Sequence, residues 1–131
     1  MRDHRKLRAF VLADALVLSI YKCTAQFPKS EMFGLTSQLR RAAVSVASNI
    51  VEGSARPGIE DYVRFLGFAY ASLREVEYQL SISQRLGFLP AQDYEPMGKL
   101  AAETCKVLHG LILSLDHTPN GVARFKRMSA H

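Results

Sequence analysis

Apolar residues recur every three or four positions in four successive segments of this chain, and this helical period constrains the fold more than any other feature. One face of the third segment carries Tyr62, Phe65, Leu66, Ala69, Leu73, Val76 and Leu80. Clusters of glycine, proline and polar residues separate the segments. The sequence has no alternating apolar pattern typical of β-strands and no internal repeat. These features predict an all-α fold.

The breaker residues predict where each helix begins and ends. The predicted limits are about Asp3 to Gln26, Gly34 to Ser54, Gly58 to Gly87, and Pro90 to Asp116. Gly53 is a natural terminator for the second helix, and Pro96 either begins or bends the fourth. Gly67 and Gly110 fall inside helices and predict close helix approach.

Short connections make neighbouring helices antiparallel, so we expect an up-down four-helix bundle over residues 1–117. The remaining residues, 118–131, predict a basic, flexible C-terminal tail.

Predicted helices 1 and 3 carry a second apolar stripe in addition to the one that an isolated bundle needs. Monomers rarely keep such a surface exposed. The pattern therefore predicts a homo-oligomer, although a wide apolar face buried deep in the bundle is the alternative. The predicted interface residues are Leu12, Leu16, Ile20, Phe68, Ala71, Ile82 and Leu86.

The net charge of +5 resides at the two ends of the chain. Residues 1–8 and 118–131 are each strongly basic, whereas the segment between them is nearly neutral. Four antiparallel helices return the chain to its starting end, so both termini should lie beside the loop that holds Arg56. Such a cluster can neutralise phosphates. The predicted nucleic-acid contacts are Arg5, Lys6, Arg8, Arg56, Arg124, Lys126 and Arg127; the alternative is a pair of solubilising tails.

Polar residues follow one side of predicted helix 2. Arg41, Asn49 and Glu52, together with Glu75 of helix 3, are interpreted as a structural polar network. The alternative is a conduit for a ligand or an RNA backbone.

Catalytic and cofactor motifs are absent from the sequence. No carboxylate pair with acid–base spacing, phosphate-binding glycine loop or nucleophile elbow is present, so we predict a non-enzymatic protein without a cofactor. Cys105 and His109 share a helix face, but no further ligands accompany them, and we predict no metal site.

The N-terminal segment combines bases with an apolar stretch, as a signal peptide does. Asp14 interrupts that stretch, which favours an amphipathic helix instead. The stretch is also too short to span a bilayer. The two cysteines form no disulfide framework, so we expect a cytoplasmic protein with no membrane partner.

The second and third helices resemble one known family. Its motifs occur at residues 27–31 (FPKSE), 34–46 (GLTSQLRRAAVSV), 48–53 (SNIVEG), 61–66 (DYVRFL), 71–73 (ASL) and 85–87 (RLG). They are similar to those of the four-helix-bundle proteins encoded by intervening sequences in bacterial 23S ribosomal RNA genes. The resemblance covers about residues 5–116, and many members have proline where this chain has Ala47.

The resemblance implies an up-down bundle that relatives assemble into a pentameric ring. It also implies distant kinship with the accessory proteins of diversity-generating retroelements, which assist a reverse transcriptase and bind nucleic acid. Together with the charge pattern, this predicts a homo-oligomeric accessory or scaffold protein that binds RNA or other nucleic acid. The alternative is a protein-interaction hub, without a nucleic-acid role, that accepts a partner helix between its subunits.

Overall fold

Four long helices make up the protein in a computed structural model that describes residues 2–116. They are α1 (Arg8–Thr24), α2 (Leu35–Ser54), α3 (Ile59–Arg85) and α4 (Ala91–Leu115). Two single 3₁₀ turns, His4–Lys6 and Lys29–Glu31, precede α1 and α2. Residues 2–116 contain no β-strand, so the predicted all-α fold is confirmed. The predicted tail, 118–131, lies outside the described residues.

The helices follow one another around the bundle in chain order. The most extensive contact joins α2 to α3, and further contacts join α3 to α4, α1 to α2, and α1 to α4. Arg40, near the start of α2, donates to Thr24 Oγ1 at the end of α1 over 2.8 Å. The hydroxyls of Ser45 and Ser72 lie 2.8 Å apart at the middle of α2 and α3. These contacts make neighbouring helices antiparallel and leave α1 and α3 diagonally opposite.

The core is built from the apolar face that the helical period predicts. Of the residues predicted on α3, all but Phe65 are fully or almost fully buried. Leu39, Val46 and Ile50 of α2 have no exposed surface. At the end of the bundle where α1 leads into α2, the Phe27 ring lies 6.0 Å from Phe88 and closes the core. Burial of this apolar surface is the main force that holds the four helices together.

The helix ends differ from the prediction at two places. The first helix begins at Arg8 rather than Asp3, because Leu7 is extended (φ −80°, ψ 125°) and separates it from the preceding 3₁₀ turn. The Asp3 carboxylate accepts from the Arg5 backbone amide and caps that turn. The fourth helix begins at Ala91, which excludes a start at Pro96.

The glycines have other roles than those predicted. Gly53 does not terminate α2 but lies inside it, where an added Cβ would come within 2.9 Å of Phe65 Cβ. Close helix approach therefore occurs at Gly53. The prediction of close approach at Gly67 and Gly110 is wrong, since a Cβ there would meet nothing within 4 Å. Gly87, with φ +82°, follows α3 in the left-handed conformation that favours glycine.

Candidate assembly and nucleic-acid-binding surfaces

The outer face of α3 presents apolar side chains to solvent. Phe68 is 47% exposed, Tyr78 63% and Leu86 58%, while Ala71 is also exposed and Ile82 is half-buried. These five residues, called the α3 stripe below, recur at helical spacing along α3. They lie on the side away from the core that Leu66, Leu73 and the other buried residues of α3 line. The α3 stripe is thus a largely exposed apolar surface within residues 2–116, where the Phe68 ring packs edge-on against Phe65 at 5.7 Å between ring centroids. The exposed Glu75 lies among the stripe residues on the same side of the helix.

The two apolar stripes of α1 have the opposite arrangement to the one predicted. Leu16 and Ile20, predicted at the oligomer interface, are 0% exposed in the subunit's own core, and Leu12 is half-buried. The prediction is wrong for Leu16 and Ile20 because Ala9 and Ala13 share their side of the helix. These small side chains fit between α1 and its neighbours, where the larger residues of the other stripe would collide.

The outward surface of α1 is instead formed by Val11, Leu18 and Tyr21, called the α1 stripe below, all of which are exposed. The Arg40 guanidinium lies over the Tyr21 ring, 4.6 Å from its centroid, and covers one edge of this stripe. Because α1 and α3 are diagonal, their stripes lie on different sides of the bundle. Two different patches on opposite sides suit a head-to-tail contact between copies.

The basic N-terminus lies beside the connection between α2 and α3, as predicted. Arg2 donates from Nη1 to the carbonyl oxygen of Arg56. By the up-down topology, α4 ends at this same end of the bundle. Arg124, Lys126 and Arg127 lie outside the described residues.

Of the four predicted phosphate-binding cations within residues 2–116, three lie beside a carboxylate. The Arg5 guanidinium lies 3.0 Å from Asp3, where its hydrogen bond holds the pKa of that carboxyl below its usual range. Arg8 lies 2.7 Å from Glu103 of α4. Arg56 is 3.9 Å from Glu52, a weaker pair. Within residues 2–116, Lys6 is the cation of the predicted set that forms no ion pair. Arg2, which was not in that set, also forms no ion pair but donates to the Arg56 carbonyl.

Arginine–aromatic stacking at this end of the bundle was not predicted. Arg2 lies over the Tyr62 ring at 4.4 Å, Arg56 over Phe65 at 4.7 Å, and Arg64 over the same ring at 5.1 Å. The interleaving of arginines with aromatics over residues 56–65 is the sequence signal that indicates it. Such contacts hold the guanidiniums in fixed positions while leaving their edges free to donate hydrogen bonds.

Polar side chains pair across the α2–α3 interface, but the predicted network does not form as one unit. Asn49 donates to the Ser45 carbonyl over 2.8 Å, and Ser45 in turn contacts Ser72. Near the other end, Gln79 Nε2 donates to Gln38 Oε1 over 3.5 Å, a long hydrogen bond. Asn49 therefore hydrogen-bonds within α2 one turn away, which agrees with a structural role.

Arg41 and Glu75 instead line an open cleft of about 350 Å³ between α2 and α3. Neither forms an ion pair with any side chain of residues 2–116, and Glu52 pairs with Arg56 rather than joining them. The buried Oε1 of Gln79, which also lines the cleft, accepts no hydrogen bond from the described part of the chain. An unpaired buried acceptor costs about 1–3 kcal/mol, so a donor that enters this cleft, water included, would be stabilised there.

The structure offers no grouped ligands for a metal within residues 2–116. The Tyr70 ring lies 6.2 Å from His109, which packs that imidazole against α3. Burial raises the pKa of the Cys23 thiol to about 11, so the thiol stays protonated at neutral pH. Zinc binds the thiolate, and Cys23 is accordingly a poor ligand. No helix within the described range is long and apolar enough to cross a membrane.

The similarity to known proteins agrees with this architecture. A family model described as 23S rRNA-intervening sequence protein matches residues 5–110. The crystal structure of a protein with unknown function from the S23 ribosomal protein family of Bacteroides thetaiotaomicron superposes with a TM-score of 0.74. The two chains are 21% identical over 79% of this chain and 94% of that one, which supports the four-helix fold. No curated protein matches the chain. With the family model covering most of its length, this chain belongs to the family of 23S rRNA-intervening sequence proteins.

Proposed function

We propose that this protein is a non-enzymatic scaffold whose copies associate head to tail through the α3 stripe of one copy and the α1 stripe of the next. The observation that carries the proposal is the presence of two apolar stripes on diagonal helices. Monomers rarely leave two such apolar stripes in water. A contact between two different patches repeats at every copy and closes into a ring when the rotation permits. A pentameric ring is the assembly that the family resemblance implies.

The mass of the protein in solution tests this proposal. Light scattering over a range of protein concentrations should give a discrete multiple of the 14.6 kDa subunit mass, pentameric in our proposal. Dilution should release monomers without loss of helical circular dichroism. A monomer at every concentration would contradict the proposal. A dimer that does not grow further would indicate a two-fold symmetric contact instead of a head-to-tail one.

The basic end gives the assembly a second role as an accessory that binds nucleic acid. In a ring, Arg2 and Lys6 of every copy would meet on one face together with the stacked Arg56 and Arg64. At this end of the bundle, Arg5, Arg8 and Arg64 are paired with carboxylates, whereas Arg2 and Lys6 form no ion pair within residues 2–116. Binding would therefore depend on several copies engaging one strand at the same time. Both cysteines are free thiols, which fits a reducing compartment such as the cytoplasm.

We expect the complex with single-stranded RNA to weaken strongly with salt. For about five phosphate contacts on a single strand, affinity should fall about a hundredfold between about 50 and 200 mM salt. The double variant Arg2→Gln with Lys6→Gln should reduce both the affinity and the salt dependence. Lys99→Gln, on the exposed side of α4, is the matched control and should change neither. Absence of binding at the lower salt concentration would favour a protein-interaction scaffold without a nucleic-acid role.

A further inference from the structure

Lys22 and Glu75 are two exposed charges without an ion-pair partner among residues 2–116, and they lie on opposite sides of the bundle. We infer that Lys22 of one copy pairs with Glu75 of the next and sets the register of the assembly. The inference rests on the proposed head-to-tail association and names the contact that aligns it.

Hydrogen bonds within the subunit fix the height of each residue along the bundle. Arg40 of α2 donates to Thr24 Oγ1 and to the Tyr21 carbonyl, so it is level with residues 21–24 of α1. The Ser45–Ser72 and Gln38–Gln79 contacts set α2 against α3 in one antiparallel register. In that register residue 40 is level with about residue 77 of α3. Lys22 and Glu75 therefore differ by only about 3 Å along the bundle, at 1.5 Å per residue.

A closed ring whose axis runs along the helices keeps all copies at the same height. Since α1 and α3 point in the same direction, α1 of one copy would lie parallel to α3 of its neighbour. The heights measured within one subunit then apply between subunits. A long lysine side chain easily spans the remaining offset, so Lys22 of the neighbouring copy reaches Glu75.

Lys22 and Glu75 each line a cleft between two helices, and these clefts lie on the sides that would meet in a head-to-tail contact. Glu75 lines the α2–α3 cleft, and Lys22 lines a cleft of about 430 Å³ between α1 and α4. If α1 of one copy packs against the α2–α3 cleft of the next, ridge into groove, Lys22 turns toward Glu75. Asp93 also lines the α1–α4 cleft but forms no ion pair with Lys22.

The α2–α3 cleft holds a second hydrogen-bond acceptor beside Glu75. The unpaired Gln79 Oε1 belongs to a side chain that is 7% exposed and lies one helical turn from Glu75 in the same cleft. A lysine ammonium carries three donors and can serve both oxygens. The contact would satisfy a buried acceptor as well as pair two charges, which distinguishes it from an ordinary surface salt bridge.

Charge reversal tests this register. Lys22→Glu sets two carboxylates against each other at every contact, and Glu75→Lys sets two ammonium groups. Each single variant should raise the subunit dissociation constant by about tenfold or more, since like charges at an interface are strongly unfavourable. The double variant Lys22→Glu with Glu75→Lys restores opposite charges and should return to within about threefold of the original value. Lys99→Glu, the same charge change on α4, is the control and should have no effect.

The outcomes separate this inference from the proposed function. If the parent protein is oligomeric and neither charge reversal weakens the oligomer, the proposed register is wrong but the association stands. The same holds if both reversals dissociate the oligomer and the double variant does not recover it. A monomeric parent protein would overturn both. Helical circular dichroism of every variant should match that of the parent, because both positions are exposed.

Discussion

Replacing Gly53 with alanine should destabilise the bundle by about 2 kcal/mol, whereas the same replacement at Gly67 should stabilise it by about 0.5–1 kcal/mol. Both glycines lie within helices, Gly53 in the last turn of α2 and Gly67 in the interior of α3, so alanine has a favourable helix propensity at each. They differ in their surroundings. A Cβ at position 53 would lie 2.9 Å from Phe65 Cβ and 3.3 Å from the Tyr62 carbonyl oxygen, neither of which can move without shifting α3.

Urea denaturation followed by helical circular dichroism measures both effects. The midpoint should fall for Gly53→Ala and rise for Gly67→Ala, with the denaturant slope unchanged in each. Gly67→Ala gains helix propensity without a steric clash. It is therefore the internal control for Gly53→Ala, where the added Cβ meets α3. Equal shifts of the two midpoints would show that α2 and α3 do not approach as closely at Gly53 as the structure places them.

The contrast between these glycines shows what helical periodicity can predict. It depends only on spacing along one helix, so it locates the four helices and the buried face of α3 correctly. Close approach depends on which residues of two different helices meet at the same height. Tyr62 and Phe65 lie nine and twelve residues beyond Gly53, past a connection whose geometry the pattern does not describe. The described helices hold four glycines, and the sequence does not indicate which one touches a neighbouring helix.

The two stripes of α1 illustrate the same principle. Both have helical spacing and similar apolar content, so spacing alone cannot decide which one faces the core. The small residues Ala9 and Ala13 beside Leu16 were the available signal, because a helix approaches its neighbours most closely where its side chains are short. The α3 stripe was predicted more easily, since Leu66, Leu73 and Leu80 mark the buried side clearly.

The sequence predicts where the chain ends lie in the bundle better than it predicts which side chains form ion pairs. Counting four antiparallel helices places the N-terminus beside the Arg56 loop, and Arg2 does contact the Arg56 carbonyl. Counting cannot reveal that Arg8 pairs with Glu103, which is 95 positions away in the chain. Such partners follow from the relative height and rotation of α1 and α4, which the fold sets and the pattern does not.

Phe68→Lys should produce a folded monomer at concentrations where the parent protein is assembled. Phe68 is the phenylalanine of the α3 stripe and is 47% exposed, so a neighbouring copy can still bury about half of it. Lysine removes that apolar contact and adds a charge that must lose its water at the contact. Because every copy contributes the same residue, the loss repeats at each contact. We expect the subunit dissociation constant to rise about a hundredfold or more. Light scattering measures the change, and circular dichroism reports whether the helices persist.

Phe33→Lys is the matched control for this variant. Phe33 is 93% exposed in the connection between α1 and α2, so it is more accessible than Phe68 but does not lie on either stripe. If general surface apolarity drives association, the more exposed phenylalanine should matter more, and Phe33→Lys should dissociate the protein. If association depends on the α3 stripe, only Phe68→Lys should dissociate the protein. Exposure and position on the stripe predict opposite results. Which of the two variants weakens association more therefore decides between a specific and a non-specific contact.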